Sequence, residues 1–307
     1  MQLIKDASAD KLRGGFYTPE LIANFLAKWG MMGMQQPKIL EPSCGDGAFL
    51  HALKNFEGQY QSIKAIELDK EEAQKAKSIQ LAKTKVINRE FHQYCNYTND
   101  KFDIVLGNPP YIRYQYFDEQ QRNEAIQIYN RVRLKYSKLS NAWVSFVVGA
   151  SLLLKKKGKL GFVIPAELLQ VSYAKPLRQF LASFYNSIVI VSFKKLVFPS
   201  IQQEVVLLMC EKGGSKEHKI NHIEVKDANE LADLDLDDLH KEDKQIDITS
   251  NKWTYYFLSQ KEINFLDTVK EKYGLKTIGD YADVEVGITT GANSFFTVEQ
   301  KVVDSYK

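Results

Sequence analysis

Asp103-Ile104-Val105-Leu106-Gly107-Asn108-Pro109-Pro110-Tyr111 is the stretch that decides the fold of this 307-residue chain. Its apolar run reads as a buried strand. The two prolines end that strand, because they lack N–H donors and fix φ. The backbone therefore breaks at the carboxyl end of a strand, the edge where open α/β sheets bind ligands. The break presents the Asn108 amide, the Pro109 carbonyl and the Tyr111 ring. Two acceptors beside a stacking ring suit a planar ligand that carries an amino group. Asn-Pro also starts ordinary turns, so a plain strand-to-loop connection is the competing reading.

Working outward, residues 38–41, 64–67, 86–88, 159–163, 188–193 and 205–210 read as further strands, which with 102–106 makes seven. Helical spacing runs over 19–28, with Thr18 as N-cap and Pro19 in the first turn, and over 48–54, 70–81 and 142–155. This alternation predicts an α/β fold with a mostly parallel sheet and helices on both faces. Residues 227–247 are dominated by Asp, Glu and Lys with leucines between them, and read as an exposed connection or short helix. A new block opens near Leu275 and reaches Gly287-Ile288-Thr289-Thr290-Gly291-Ala292-Asn293.

The amino-group reading specifies a chemistry. The exocyclic amine of an adenine is a poor nucleophile, since its lone pair is delocalised into the ring. Asn108 Oδ1 and the Pro109 carbonyl could each accept one of its N–H hydrogens, localising the lone pair and aiming it at an electrophile.

Gly45-Asp46-Gly47 lies between the first strand and a helix, as a nucleotide loop does. Leu50 stands where the dinucleotide fingerprint has its third glycine, and the lysine and hydroxyl of a P-loop are missing. At the end of the second strand, Glu67 can accept bonds from ribose hydroxyls, or can simply cap the strand. A ribose-bearing ligand without a diphosphate fits S-adenosylmethionine, whose sulfonium carries an electrophilic methyl. Glu90 and Phe91 could read the cofactor adenine through its amino group and ring face. Cys44, beside the loop, has no base next to it and reads as a packed residue.

The bulk numbers set limits. An apolar content of 44% supports one large domain or two, and a net charge of +3 neither demands nor forbids nucleic acid. Cys44, Cys95 and Cys210 form no C-x-x-C pair, which points to a reduced, cytoplasmic protein without disulfides or structural zinc. Residues 1–13 are polar and do not read as a signal peptide. The longest apolar stretch, 142–154, is too short for a bilayer, so no membrane association is expected. His218 and His222 have i,i+4 spacing but lack the glutamate of a zincin and read as loop residues, so no metal is expected.

Phe16-Tyr17-Thr18-Pro19, Ile39-Leu40-Glu41-Pro42-Ser43-Cys44-Gly45-Asp46-Gly47 and Asn108-Pro109-Pro110-Tyr111, in that order, resemble the gamma group of adenine-N6 DNA methyltransferases of bacterial restriction–modification systems. Gly161-Phe162-Val163-Ile164-Pro165 and Leu196-Val197-Phe198-Pro199 also resemble that group. The resemblance runs from about Gly15 to Cys210. It implies a Rossmann-like class I S-adenosylmethionine-dependent methyltransferase with a seven-stranded sheet, acting on an adenine flipped out of DNA.

It also implies roles. Tyr17 and Thr18, with Glu41, Ser43, Gly45, Asp46 and Gly47, would line the methionine end of the cofactor, and Glu67 would hold the ribose. Glu90 and Phe91 would contact the cofactor adenine, although the family usually has Asp where Glu90 stands. Asn108 and Pro109 would bind the target amine, Pro110 would complete the catalytic turn, and Tyr111 and Phe198 would stack on the two faces of the target base. Phe198 reads equally well as a core residue before a turn. Residues 1–270 would be the catalytic domain, and 271–307 the start of a target-recognition domain that is otherwise missing or supplied by another chain. A cognate restriction endonuclease would accompany it. Lys155, Lys156, Lys157, Lys194 and Lys195 could touch phosphates. Enzymes of this fold that act on RNA bases or a protein glutamine amide, and a non-catalytic DNA- or cofactor-binding subunit, are the alternatives.

Overall fold

The computed structural model describes residues 17–135, 141–198, 203–213, 217–249, 252–276, 278–283 and 300–305. Phe16, Pro199 and residues 284–296 lie outside the described residues. The chain forms two units, 1–260 and 261–307. In the second, a helix over Gln260–Tyr273 starts at the boundary, followed by a single 3-10 turn at Ile278–Asp280 and a short helix at Gln300–Asp304.

The first unit begins with helix α1 (Glu20–Met31), then β1 (Lys38–Glu41), α2 (Ala48–Leu53), β2 (Ser62–Glu67), α3 (Lys70–Ser78) and β3 (Thr84–Asn88). Next come α4 (Phe91–Tyr97), β4 (Phe102–Gly107), α5 (Glu119–Arg131), α6 (Ala142–Leu153) and β5 (Leu154–Pro165). The rest is α7 (Lys175–Phe184), β6 (Ser187–Phe193), β7 (Val205–Glu211), β8 (Lys219–Val225), α8 (Ala228–Asp233) and β9 (Lys244–Gln245).

The strands form one mixed sheet in the order β3-β2-β1-β4-β5-β7-β6-β8-β9. β3 to β5 run parallel, and β7 runs antiparallel to both of its neighbours. The sheet thus has two strands more than expected, because β8 and β9 extend it beyond β6.

The buried strands read clearly in the sequence because both faces are covered, which favours continuous apolar runs over alternation. Ile39, Ile104, Leu106, Val163 and Leu207 share one cluster with Ile22 and Leu26 of α1 and Phe49 of α2. Leu40, Val105 and Phe162 alternate to the other face and are also buried. Helices α4, α5 and α6 pack together.

Three local expectations change. Pro19, not Thr18, is the N-cap of α1, with no side-chain cap bond, because helical dihedrals begin at Glu20. The acidic stretch holds a short helix, α8, one of its two expected forms, but it is not simply exposed: Leu231, Leu236 and Leu239 are buried in the core cluster, and α8 packs on α1. His218 and His222 are not a loop pair, since His222 lies within β8. Four residues along a strand span about 13 Å, too far for one metal ion. Instead His222 Nε2 pairs with Ser192 Oγ at 2.8 Å, and His218 Nδ1 with the Tyr185 carbonyl at 2.8 Å. Among the described residues no group of three or more His, Cys, Asp or Glu could hold a metal, and no helix is long and apolar enough to cross a membrane.

Candidate active site

The parallel register β3-β2-β1-β4 brings the carboxyl ends of four strands to one edge. Glu41 ends β1, Glu67 ends β2, and Asn108 follows β4. Above this edge lies a cavity of about 530 Å³.

Its floor is the loop between β1 and α2. Gly45 and Gly47 both have positive φ, 51° and 97°, the region that glycine adopts without a Cβ penalty. At Gly47 an added Cβ would lie 2.3 Å from Ile79 Cδ1, so the Ile79 side chain would have to move to admit it. The loop is tied to β2 twice: Cys44 N–H donates to the Ile66 carbonyl at 2.9 Å, and Gly45 N–H donates to Glu67 Oε2 at 2.8 Å. The other Glu67 oxygen accepts the N–H of Asp69 at 2.8 Å. Cys44 is buried, and burial pushes its thiol up beyond any nucleophilic range.

Six carboxylates line the cavity (Glu41, Asp46, Glu67, Asp69, Glu72 and Glu90) against the cations Lys70 and Arg89. Glu41 is 1% exposed, and its Oε2 has no hydrogen-bond partner among the described residues. Burial, then the neighbouring charges of Glu67 and Asp46, raise its pKa well above the carboxylate range. Burial also raises Glu67, against the opposing pull of its backbone N–H donors, and raises Asp46 together with the charge of Glu72. A buried carboxylate oxygen without a donor is costly. A proton, a water or a hydrogen-bond donor on a ligand would relieve it, a cationic donor most strongly.

The far wall is apolar: Phe91, Phe146, Phe117 and Ile112. Phe91 and Phe146 lie 4.8 Å apart, close to parallel. Glu90 sits at this end as the N-cap of α4, accepting the N–H of Gln93 at 2.6 Å.

At the proline turn the Asn108 carbonyl accepts Ser43 Oγ–H at 3.2 Å, and Asn108 Oδ1 accepts the Tyr111 hydroxyl at 2.7 Å. The Tyr111 oxygen is also 3.0 Å from the Val163 carbonyl. Tyr17, Thr18, Glu41, Ser43, Gly45, Asp46, Glu67, Glu90, Phe91, Asn108 and Pro110 all line the cavity, whereas Gly47, Pro109, Tyr111 and Phe198 do not. Gly47 shapes the loop from behind. Tyr111 turns its hydroxyl back onto Asn108 and β5. Phe198 is 4% exposed and sits in the core cluster. Lys155, Lys194 and Lys195 are each paired, with Asp103, Glu224 and Asp227, and no lysine of the two runs lines the cavity.

Sequence reasoning missed Glu72, Phe117 and Phe146. For Glu72 a signal existed: Asp69-x-x-Glu72 has capping-box spacing, and Asp69 does cap α3. Phe146 has none, because α6 is apolar all round.

A family model, Eco57I restriction-modification methylase, matches residues 23–198, more than half of the chain. The chain belongs to the Eco57I methylase family. A second model, the C-terminal domain of the Type II methyltransferase M.Eco57I, matches residues 250–307. This Eco57I-family chain is 25% identical over 295 residues to the Type II methyltransferase M.AccI of Acinetobacter calcoaceticus, covering 92% of itself and 52% of that protein. It is 28% identical over 230 residues to the Type II methyltransferase M.HincII of Haemophilus influenzae, covering 74% of itself and 42% of that protein. It thus spans about half or less of these relatives' length.

Among solved structures it shares its fold with a DrdV–DNA complex (TM-score 0.62, 15% identity, 79% of this chain and 31% of that one). It also shares it with a class I S-adenosylmethionine-dependent methyltransferase from Listeria monocytogenes (TM-score 0.55, 17% identity, 72% and 68%). The Rossmann-like class I methyltransferase fold expected from the sequence is the fold observed.

Proposed function

We propose that this chain carries the cofactor-binding and catalytic part of a methyltransferase that moves a methyl group from S-adenosylmethionine to the N6 amine of an adenine in DNA. The observation that carries the reading is the placement of Asn108 on the wall of an acidic cavity whose innermost carboxylate, Glu41, has an oxygen without a partner. The relatives' names, Type II methyltransferases, support DNA as the substrate, and the DNA complex that shares the fold is in keeping with it.

The donor set fits the cofactor. Glu41 and Asp46 would take its ammonium, with Tyr17, Thr18 and Ser43 around the same end. Each Glu67 oxygen holds one backbone N–H, and a carboxylate oxygen accepts two bonds, so Glu67 can still take a ribose diol. Glu90 would accept the amino group of the cofactor adenine, and Phe91 and Phe146 would flank its ring. When bound, S-adenosylmethionine supplies an electrophilic methyl group.

Asn108 Oδ1 and the Pro109 carbonyl accept the two N–H hydrogens of the target amine, so that its lone pair points into the cavity and no residue needs to deprotonate it first. The Tyr111 hydroxyl is one donor to Asn108 Oδ1, and an amide oxygen can accept two. Tyr111 and Phe198 would flank the two faces of the flipped base only after moving away from the core cluster against which both pack. Residues from 271 onward open a target-recognition region, and a partner endonuclease belongs to the same reading.

The test is to incubate the full chain with unmethylated DNA, RNA and protein and labelled S-adenosylmethionine, then digest the products to nucleosides and amino acids. N6-methyladenine in DNA, lost in Asn108→Ala, is the expected product. Label on RNA or on glutamine instead would reassign the substrate.

A further inference from the structure

His92 takes no part in the function proposed so far, yet it lies directly behind the cavity. It is fully buried and does not line the cavity, whereas its neighbour Glu90 does. The Ser145 hydroxyl donates to the Ala142 carbonyl at 2.9 Å, which uses its one proton. His92 Nε2 lies 2.8 Å from the same Oγ. Nδ1 meets Glu90 Oε1, while Glu90 Oε2 accepts the Gln93 N–H at 2.6 Å. Toward an ionised Glu90, which only accepts, Nδ1–H is the donor.

The surroundings agree. Burial would raise the Glu90 carboxyl, but the His92 bond and charge, with the backbone N–H groups of Gln93 and His92, hold it below the usual range. Helix α6 presents Ser145 and Phe146 to His92, and the segment before α5 presents Phe117, all uncharged. From α5, Glu124 is bonded to Asn96 at 2.6 Å, and Arg131 reaches the Cys95 carbonyl at 3.4 Å. Among the described residues, the charged group in hydrogen-bond contact with His92 is Glu90. The Phe146 ring meets the imidazole edge-on, with centroids 4.8 Å apart, and holds it in place.

We propose that His92 is a positioning residue that keeps Glu90 ionised and in one orientation, and so makes the cavity select an adenine ring by its amino group. The inference rests on the cofactor reading above. An acceptor-only Glu90 welcomes an exocyclic amine and opposes a carbonyl oxygen at the same ring position, as in an inosine ring. A Glu90 without His92 can take up a proton and donate, and the discrimination falls.

The experiment is calorimetric titration of the full chain with S-adenosylhomocysteine and with its inosyl analogue. The proteins are the wild type, His92→Phe, Glu90→Gln and the double variant, with thermal melting to confirm folding. Phenylalanine keeps the ring packing and removes both bonds. His92→Gln, which keeps one donor, is the second variant if His92→Phe does not fold; it should lose part of the discrimination.

We expect His92→Phe to weaken the adenosyl ligand about tenfold and the inosyl ligand by less than about twofold. In the Glu90→Gln background the same substitution should change neither. Equal loss of both ligands, or an undiminished loss in the Glu90→Gln background, would overturn the proposal, since a purely structural His92 would behave that way. A wild type that binds the adenosyl ligand without preferring it also overturns it. A wild type that binds neither ligand removes the cofactor reading itself, and this inference with it.

Discussion

Glu41→Gln should make the free protein more tolerant of rising pH and, at the same time, poorer at holding its cofactor. Glu41 is buried, lacks a donor to Oε2, and faces Glu67 and Asp46, so its folded-state pKa is raised. A carboxyl with a raised pKa keeps its proton in the fold at pH values where the unfolded chain has lost it. The folded state then binds more protons, so stability falls as pH climbs from the ordinary glutamate range toward the raised value. One proton's difference gives a slope of about 1.4 kcal/mol per pH unit while it lasts.

Glutamine is nearly the same size and carries no titratable proton. The variant should lose this share of the slope and gain on the wild type as pH rises, while the shares of other groups such as Glu67, Asp46 and His222 stay the same in both proteins. A cation bound beside Glu41 reverses the order, because it stabilises the ionised form of the wild type and has less to offer the amide. The assay is urea unfolding from pH 5 to 8, with and without saturating S-adenosylmethionine. Identical pH slopes for the two proteins without ligand, or equal stabilisation by the ligand, would refute the reasoning.

Gly47→Ala should destabilise the protein by about 2–4 kcal/mol, from overpacking plus left-handed backbone, read as a lower urea midpoint; its Cβ would lie 2.3 Å from Ile79, and an unchanged midpoint would mean that α3 gives way. Asn108→Ala should lower kcat by at least about 10²–10³-fold, the scale of removing one preorganised polar contact, while calorimetric cofactor affinity stays within about twofold; joint loss would make Asn108 structural. Tyr111→Phe keeps the ring and removes the hydroxyl that meets Asn108 Oδ1 and the Val163 carbonyl; we expect a loss of about 0.5–1.5 kcal/mol in stability and a lower kcat with KM for DNA little changed, and a raised KM alone would place the hydroxyl on the DNA instead.

Where the sequence was legible, one physical cause dominated. β4 and β7 are buried on both faces, so their residues form apolar runs that no helix pattern explains. The glycines of the β1 loop mark left-handed backbone that other residues adopt rarely, and the double proline after β4 marks a strand end without N–H donors. β8 was illegible for the opposite reason. Its Asn221 and His222 look like loop residues, but each is satisfied inside: Asn221 Nδ2–H donates to the Leu239 carbonyl at 2.8 Å, and His222 stacks on Phe257 with centroids 3.8 Å apart. In residues 227–247 the charges hid a leucine face that only the tertiary fold uses.

At the site, the carboxylates were visible as residues at strand ends, but their mutual repulsion was not, because it depends on strand register. The Glu90–His92 contact depends on a cap geometry and on Ser145 from a helix more than fifty residues away. Phe198 shows the limit of carrying a role over by resemblance: its surroundings in this structure are the core, not the cavity.

In the proposed function this cavity binds S-adenosylmethionine through the β2 carboxylate and leaves Asn108 for the amine. Calorimetric titration of the full chain, Glu67→Ala and Asn108→Ala with that ligand tests it directly. We expect one site on the wild type, about tenfold or greater weakening in Glu67→Ala, where charge-assisted bonds to the ribose are lost, and unchanged affinity in Asn108→Ala. A wild type that does not bind at submillimolar ligand, or binding that Glu67→Ala leaves intact, would contradict it.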